Sequence, residues 1–193
     1  MIKCKIAVIA VSLFILCISN ASCGEKNTKD QKSWLNDIRV GILLHDGTVR
    51  NQTGKEGGAD FNTEFIFNLP HCVPSIGIVQ SNIGISLNNQ GETSKIYSGF
   101  LWEYVWHSGI FFNLGLGLSL HNGELETDNG DKKELGSRLL FRIPVEFGVF
   151  ITRHHGLSIM FDHVSNASLA SPNDGLNTIG VRYTYRFLDS SKL

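Results

Sequence analysis

The chain has 193 residues, a formal net charge of −1 and only 18% charged residues. That length suits one domain, or two very small ones, the near-neutral balance excludes a polybasic nucleic-acid binder, and the charge content lies below the usual quarter of soluble proteins. In chain order, residues 1–23 read as an export signal. Lys3 and Lys5 form a positive start, "IAVIAVSLFILCI" (6–18) is the apolar stretch, and "SNA" (19–21) is a small-residue cleavage site. The apolar stretch is too short to cross a bilayer as a helix. Cys4 and Cys17 leave with the signal. Cys23, at the boundary, raises the alternative of a lipid-modified N-terminal cysteine, against which Asn20 stands where an aliphatic residue is preferred. Cys72 is then nearly alone, with neither a disulfide framework nor zinc-ligand spacing. No metal site and no cofactor are expected.

A polar leader (24–35) precedes the expected barrel domain (36–188), and a short tail (189–193) follows it. Within the domain the recurring signal is period two, in segments of about ten residues. The first (37–46) sends Ile38, Val40, Ile42 and Leu44 to one face, and the second (60–69) sends Phe61, Phe65, Phe67 and Leu69. The third, roughly 75–88, ends with Ile83, Ile85 and Leu87 on one side. The fourth (96–105) sets Phe100, Trp102 and Tyr104 against Tyr97, Gly99, Leu101 and Glu103. In the fifth, Phe112, Leu114, Leu116, Leu118 and Leu120 alternate with Asn113, Gly115, Gly117, Ser119 and His121. The sixth (137–151) sets Leu139, Phe141, Ile143, Val145, Phe147 and Val149 against Arg138, Arg142, Glu146 and Gly148. The seventh is 156–166. The eighth is 176–187, ending in the aromatic alternation "RYTYRF" (182–187).

Connections after odd-numbered segments are longer than those after even-numbered ones. Long loops on one rim and short turns on the other describe an all-β, eight-stranded antiparallel outer-membrane β-barrel. An even, closed set of strands leaves no free edge, as hydrocarbon requires. The polar face carries Arg39, Glu64, Glu103, Arg138, Arg142, Glu146, Arg182 and Arg186. Eight strands leave little lumen, so these charges are expected to pair inside, with some solvated at the rims.

"FDHVSNAS" (161–168) puts His163 and Ser165 on the same face as Leu157, Ile159 and Phe161. That is the lipid side, at the level of the outer headgroups. Residues i and i+2 of a strand are about 7 Å apart, close enough for imidazole and hydroxyl to bond. A histidine that takes a serine proton is the minimum unit of nucleophilic catalysis. Alone, His-x-Ser is a weak signal, and a rim pair bonded to headgroups or water fits it too.

The longer stretch "HVSNASLASPNDGLN" (163–177) resembles the signature of the lipid A 3-O-deacylase (PagL) family: His-x-Ser-Asn-Ala, about six residues, then Asn-x-Gly. "GISLNNQGETSKIYSGFLWE" (84–103), "GLGLSLHNGEL" (115–125) and "LGSRLLFRIPVEFGV" (135–149) are similar to the family's middle strands. The resemblance implies an eight-stranded outer-membrane barrel with Ser165 as nucleophile and His163 as base. It also implies supporting roles for Asn166 and Asn173, the latter helping to hold the oxyanion.

The chain departs from the family at the third catalytic position, where Asn177 stands in place of a glutamate. Asn177 shares the lipid-facing phase of the eighth segment with Ile179, Val181, Tyr183, Tyr185 and Phe187. It can therefore orient His163 from the neighbouring strand, though an amide cannot stabilise imidazolium as a carboxylate does. Asp174 is the alternative, reaching from the loop, and a reduced or lost activity is the other outcome the amide allows. Asp162 points inward.

A nucleophile on the outer wall meets what diffuses within the outer leaflet. The expected substrate is lipid A of lipopolysaccharide, among outer-membrane lipids, with no nucleic acid involved. The expected reaction is hydrolysis of the 3-O-linked acyl ester. The alternatives are a non-catalytic barrel serving as adhesin or structural protein, and a phospholipase-type acyl hydrolase. A homodimer is left open. His121 and the pair His154 and His155 sit at opposite rims, which excludes a shared metal cluster. Trp34, Trp102, Trp106 and Tyr104 fit interfacial girdles.

Overall fold

The computed structural model describes residues 34–47, 55–69, 77–128, 130 and 132–187. The expected export signal, Cys4, Cys17, Cys23, Cys72 and the expected tail lie outside these residues. Eight strands follow one another: β1 (Leu35–Leu44), β2 (Ala59–Asn68), β3 (Ile78–Asn88), β4 (Lys95–Val105), β5 (Ile110–His121), β6 (Leu139–Phe150), β7 (His155–Ser165) and β8 (Leu176–Arg186). Each pairs antiparallel with its neighbour, and β8 returns to β1 to close the barrel. Among the described residues there is no helix.

The alternation explains the closure. Outward positions are apolar and open to the surroundings, as in Ile42, Leu44, Phe61, Phe147, Ile159 and Val181. Inward positions are buried and carry the polar and charged side chains, with apolar residues such as Leu43, Ile66, Phe111 and Met160 among them, so the sheet can only satisfy both faces with fat outside and protein inside. The strand ends fall within a residue or two of the expected segments, except at β3. That strand begins at Ile78 rather than near 75, which makes the β2–β3 connection (69–77) longer than the β3–β4 one (89–94). The loop asymmetry therefore has one exception.

Pro144 stands in the middle of β6 although no edge is available to it. The β5–β6 register runs to Leu114↔Val145 and resumes at Gly117↔Arg142. A proline lacks the N–H for the missing rung. Gly115 makes room there: a Cβ on it would press on both Pro144 Cγ and Leu101 Cδ2.

The lumen is filled by charge pairs. Arg39 reaches Asp37 (2.8 Å), Glu103 (3.1 Å) and Glu146 (2.5 Å). Arg182 bridges Glu64 (2.5 Å) and Glu146 (3.3 Å). Arg142 pairs with Asp162 at 2.8 Å and lies 3.6 Å from the centre of the Tyr97 ring. Lys95 joins Asp162 (2.9 Å), and Arg186 joins Asp37 and Glu103 (each 2.8 Å). Signs are balanced, because a buried ion without a counter-ion costs several kcal/mol. Arg138 stands apart from this network: it is exposed at the rim and donates to Gly123 O (2.6 Å).

Candidate active site

β7 carries the site to the rim where the longer loops gather. Phe161, His163 and Ser165 are half-buried on the outer wall, while Asp162, Val164 and Asn166 are buried. Across the β7–β8 ladder His163 sits opposite Asn177, and across β6–β7 Ser165 sits opposite Phe141 and His163 opposite Ile143. The polar group is thus set in an apolar wall, with Phe161 and Ile179 paired on its membrane side.

The geometry is that of a relay. His163 Nδ1 lies 2.7 Å from Asn177 Oδ1, and Nε2 lies 3.2 Å from Ser165 Oγ. An amide oxygen can only accept, so Nδ1 carries the ring proton. Nε2 is then left as the acceptor facing the serine hydroxyl. The sequence places these three residues in phase, and the fold brings them together.

The other expected residues are distributed differently. Asn166 is a loop clamp. Its Nδ2 donates to Leu135 O (3.0 Å) and Pro172 O (2.9 Å), and its Oδ1 accepts from the Ser168 N–H (2.8 Å). Both amide hydrogens are spent on loop carbonyls, so neither is left for an oxyanion. Asn173 Oδ1 accepts the Asn166 N–H (3.1 Å) and its Nδ2 donates to Ser168 Oγ (3.3 Å), which leaves a second N–H on that amide. Asp174 turns away from the imidazole. Its carboxylate binds Lys55 Nζ (2.9 Å) and the Glu134 N–H (3.2 Å). Partial burial pushes its pKa up, but Lys55 and that N–H outweigh it and hold the carboxyl below its ordinary value. The Asp174 carboxylate is thus held by the neighbouring loops, and the group at His163 Nδ1 is Asn177 rather than Asp174.

Two backbone features complete the surroundings. Ala167 (φ 54°) and Ser168 (φ 62°) are successive left-handed residues directly after the serine strand, a costly conformation of the kind that gathers at functional sites. Gly175 (φ 63°) packs so closely that a Cβ there would lie 3.3 Å from His163 Cε1 and 3.6 Å from Ser165 Cβ. Sequence reasoning held Gly175 only as the last letter of Asn-x-Gly. Its contact with the dyad needs the β7–β8 turn to be seen.

The sequence model of the family described as lipid A 3-O-deacylase (PagL) matches residues 78–186, more than half of the chain. The chain belongs to this family. A curated relative, the lipid A deacylase PagL of Bordetella bronchiseptica (strain ATCC BAA-588 / NCTC 13252 / RB50), is 26% identical over 97 residues, which are 46% of this chain and 52% of the relative. The matched region thus spans about half the length of that relative. The crystal structure of the outer-membrane enzyme PagL superposes with a TM-score of 0.56 at 20% identity, covering 77% of this chain and 99% of that one. Its likeness gives the fold, a closed eight-stranded antiparallel barrel of the PagL type.

Proposed function

We propose that this PagL-family barrel is a serine esterase that removes the 3-O-linked acyl chain of lipid A from the outer leaflet. Ser165 Oγ attacks the ester carbonyl while His163 Nε2 takes its proton. Asn177 Oδ1 keeps the imidazole in the tautomer that accepts. The uncommitted N–H of Asn173 is offered to the developing oxyanion. His163 returns the proton to the departing sugar oxygen, and water then releases the fatty acid from the serine by the reverse sequence. Asn177 holds the ring without balancing its positive charge, so the reaction runs more slowly than with a carboxylate there.

The reading rests on one observation, the Asn177–His163–Ser165 chain of contacts on the lipid-facing wall. Family membership supplies the bond to be cut. The test is mass spectrometry of lipid A after incubation with refolded protein. Wild type should release one 3-hydroxyacyl chain, and Ser165→Ala should lose nearly all of this, by a factor of about 10³ or more. Lipid A left intact by wild type would refute the proposal. Release from phospholipid instead would move the substrate to another acyl ester.

A further inference from the structure

We propose that Glu134–Gly136, in the loop between β5 and β6, is a positioning element of the catalytic site, with Leu135 at its centre. The proposal rests on the reading of Ser165 and His163 as nucleophile and base. Three consecutive residues of this loop each meet the back of the β7–β8 turn, 31 to 40 residues further along the chain. Glu134 is tied twice to Asp174: its N–H donates to the Asp174 carboxylate (3.2 Å) and its carbonyl accepts the Asp174 N–H (3.0 Å). Leu135 O accepts from Asn166 Nδ2 (3.0 Å). Gly136, at φ 65°, lies so near the turn that a Cβ on it would collide with Pro172 O and sit 2.8 Å from Asn166 Nδ2.

The side chain of Leu135 does the mechanical part. It is fully buried in a cluster with Leu140, Val164 and Leu176. Val164 is the inward residue between His163 and Ser165, and Leu176 is the inward residue between Gly175 and Asn177. The three polar groups outside the wall are therefore backed, through two strands, by one side chain inside it. Close packing transmits a void as a displacement, and an error of about 1 Å in a reacting pair can cost about 100-fold in rate. Leu135 touches no reacting atom, so it positions and does not catalyse.

The experiment uses the full chain refolded in detergent micelles. It measures kcat and KM on lipid A and the rate at which a fluorophosphonate labels Ser165, both per folded barrel as judged by heat-modifiable gel mobility. Leu135→Ala and Gly136→Ala should lower kcat and the labelling rate by about 10- to 100-fold and leave KM within about threefold. Leu135→Met, which conserves volume, should stay within about threefold of wild type. Gly91→Ala is the control, since Gly91 shares the left-handed backbone (φ 79°) but has no neighbour within 4 Å of a Cβ; it should change nothing. Folded Leu135→Ala and Gly136→Ala proteins with wild-type kcat and labelling would overturn the inference. If Leu135→Ala does not fold, Gly136→Ala decides by the same criterion. A wild type that neither releases acyl chains nor takes the label refutes the esterase reading itself, a result distinct from active wild type with indifferent loop variants.

Discussion

In the proposed mechanism, an amide stands at His163 where a carboxylate would hold the charge that forms during proton transfer. Asn177 Oδ1 sits 2.7 Å from Nδ1, so orientation is kept and only electrostatic support is missing. In a serine protease triad, the exchange of acid for amide costs about 10⁴ in kcat, much of it through the wrong tautomer. Here the accepted tautomer is already the useful one, so the penalty should be smaller. Asn177→Glu is expected to raise kcat by about 10-fold or more, and kcat against lipid A at fixed pH checks it; an unchanged or lower kcat would mean that charge is not what limits the step. His163 and Ser165 were legible in the sequence because period two put them on one wall, whereas Asn177 came from the family resemblance and its strand phase only agreed with it. Asp174 was not legible, since its partner Lys55 lies 119 residues away and no local pattern announces that pairing. Asn166 was half legible: its place beside the serine was plain, but its saturation by Leu135 O and Pro172 O depends on two loops meeting.

The loops at the outer rim are bound to one another by a second set of buried polar groups, centred on His45. Its Nδ1 lies 2.7 Å from Asp60 Oδ1 and its Nε2 lies 2.9 Å from Glu56 Oε2. Glu56 also accepts the Thr93 and Lys133 N–H groups (3.3 and 3.1 Å), linking three connections. Burial pushes the His45 pKa down, but the two carboxylates outweigh it and raise it from 6.5 to about 9. A histidine more basic when folded than unfolded stabilises fully below the unfolded value and loses that contribution as pH rises through the folded one. Thermal unfolding midpoints should therefore fall between about pH 6.5 and 9 more steeply in wild type than in His45→Gln; parallel curves would remove His45 from this role. At this scale the strands were readable and the loops were not. Alternation alone located β6 despite Pro144, since a gap of two pairs in one ladder does not disturb which way side chains point. The start of β3 was misplaced because the stretch before Ile78 has no clean alternation.

Taken whole, the barrel is an apolar outer shell around an ionic interior, with Arg39, Arg142 and Arg182 among its largest fully buried side chains. The interior was foreseeable from opposite signs on one face of the strands. Asp37 and Lys95 escaped notice because each lies at a segment's end, where phase is hard to assign. Replacing a whole buried network by apolar groups is often neutral for stability, yet removing one member leaves a buried charge unpaired. Arg142→Met strips a partner from both Asp162 and Glu64 and should cost about 3–5 kcal/mol, read as a lower urea midpoint for loss of the compact gel band. A loss under about 1 kcal/mol would mean that water enters and screens the pair. The placement of Ser165 on the outside of this solid cylinder has a kinetic consequence as well. A buried cleft samples its ligand from a volume, but a wall-mounted nucleophile samples from an area. Turnover should then track the mole fraction of susceptible lipid in the surface around the protein. Inert amphiphile added at constant total substrate would slow it, as though the enzyme had been diluted in two dimensions.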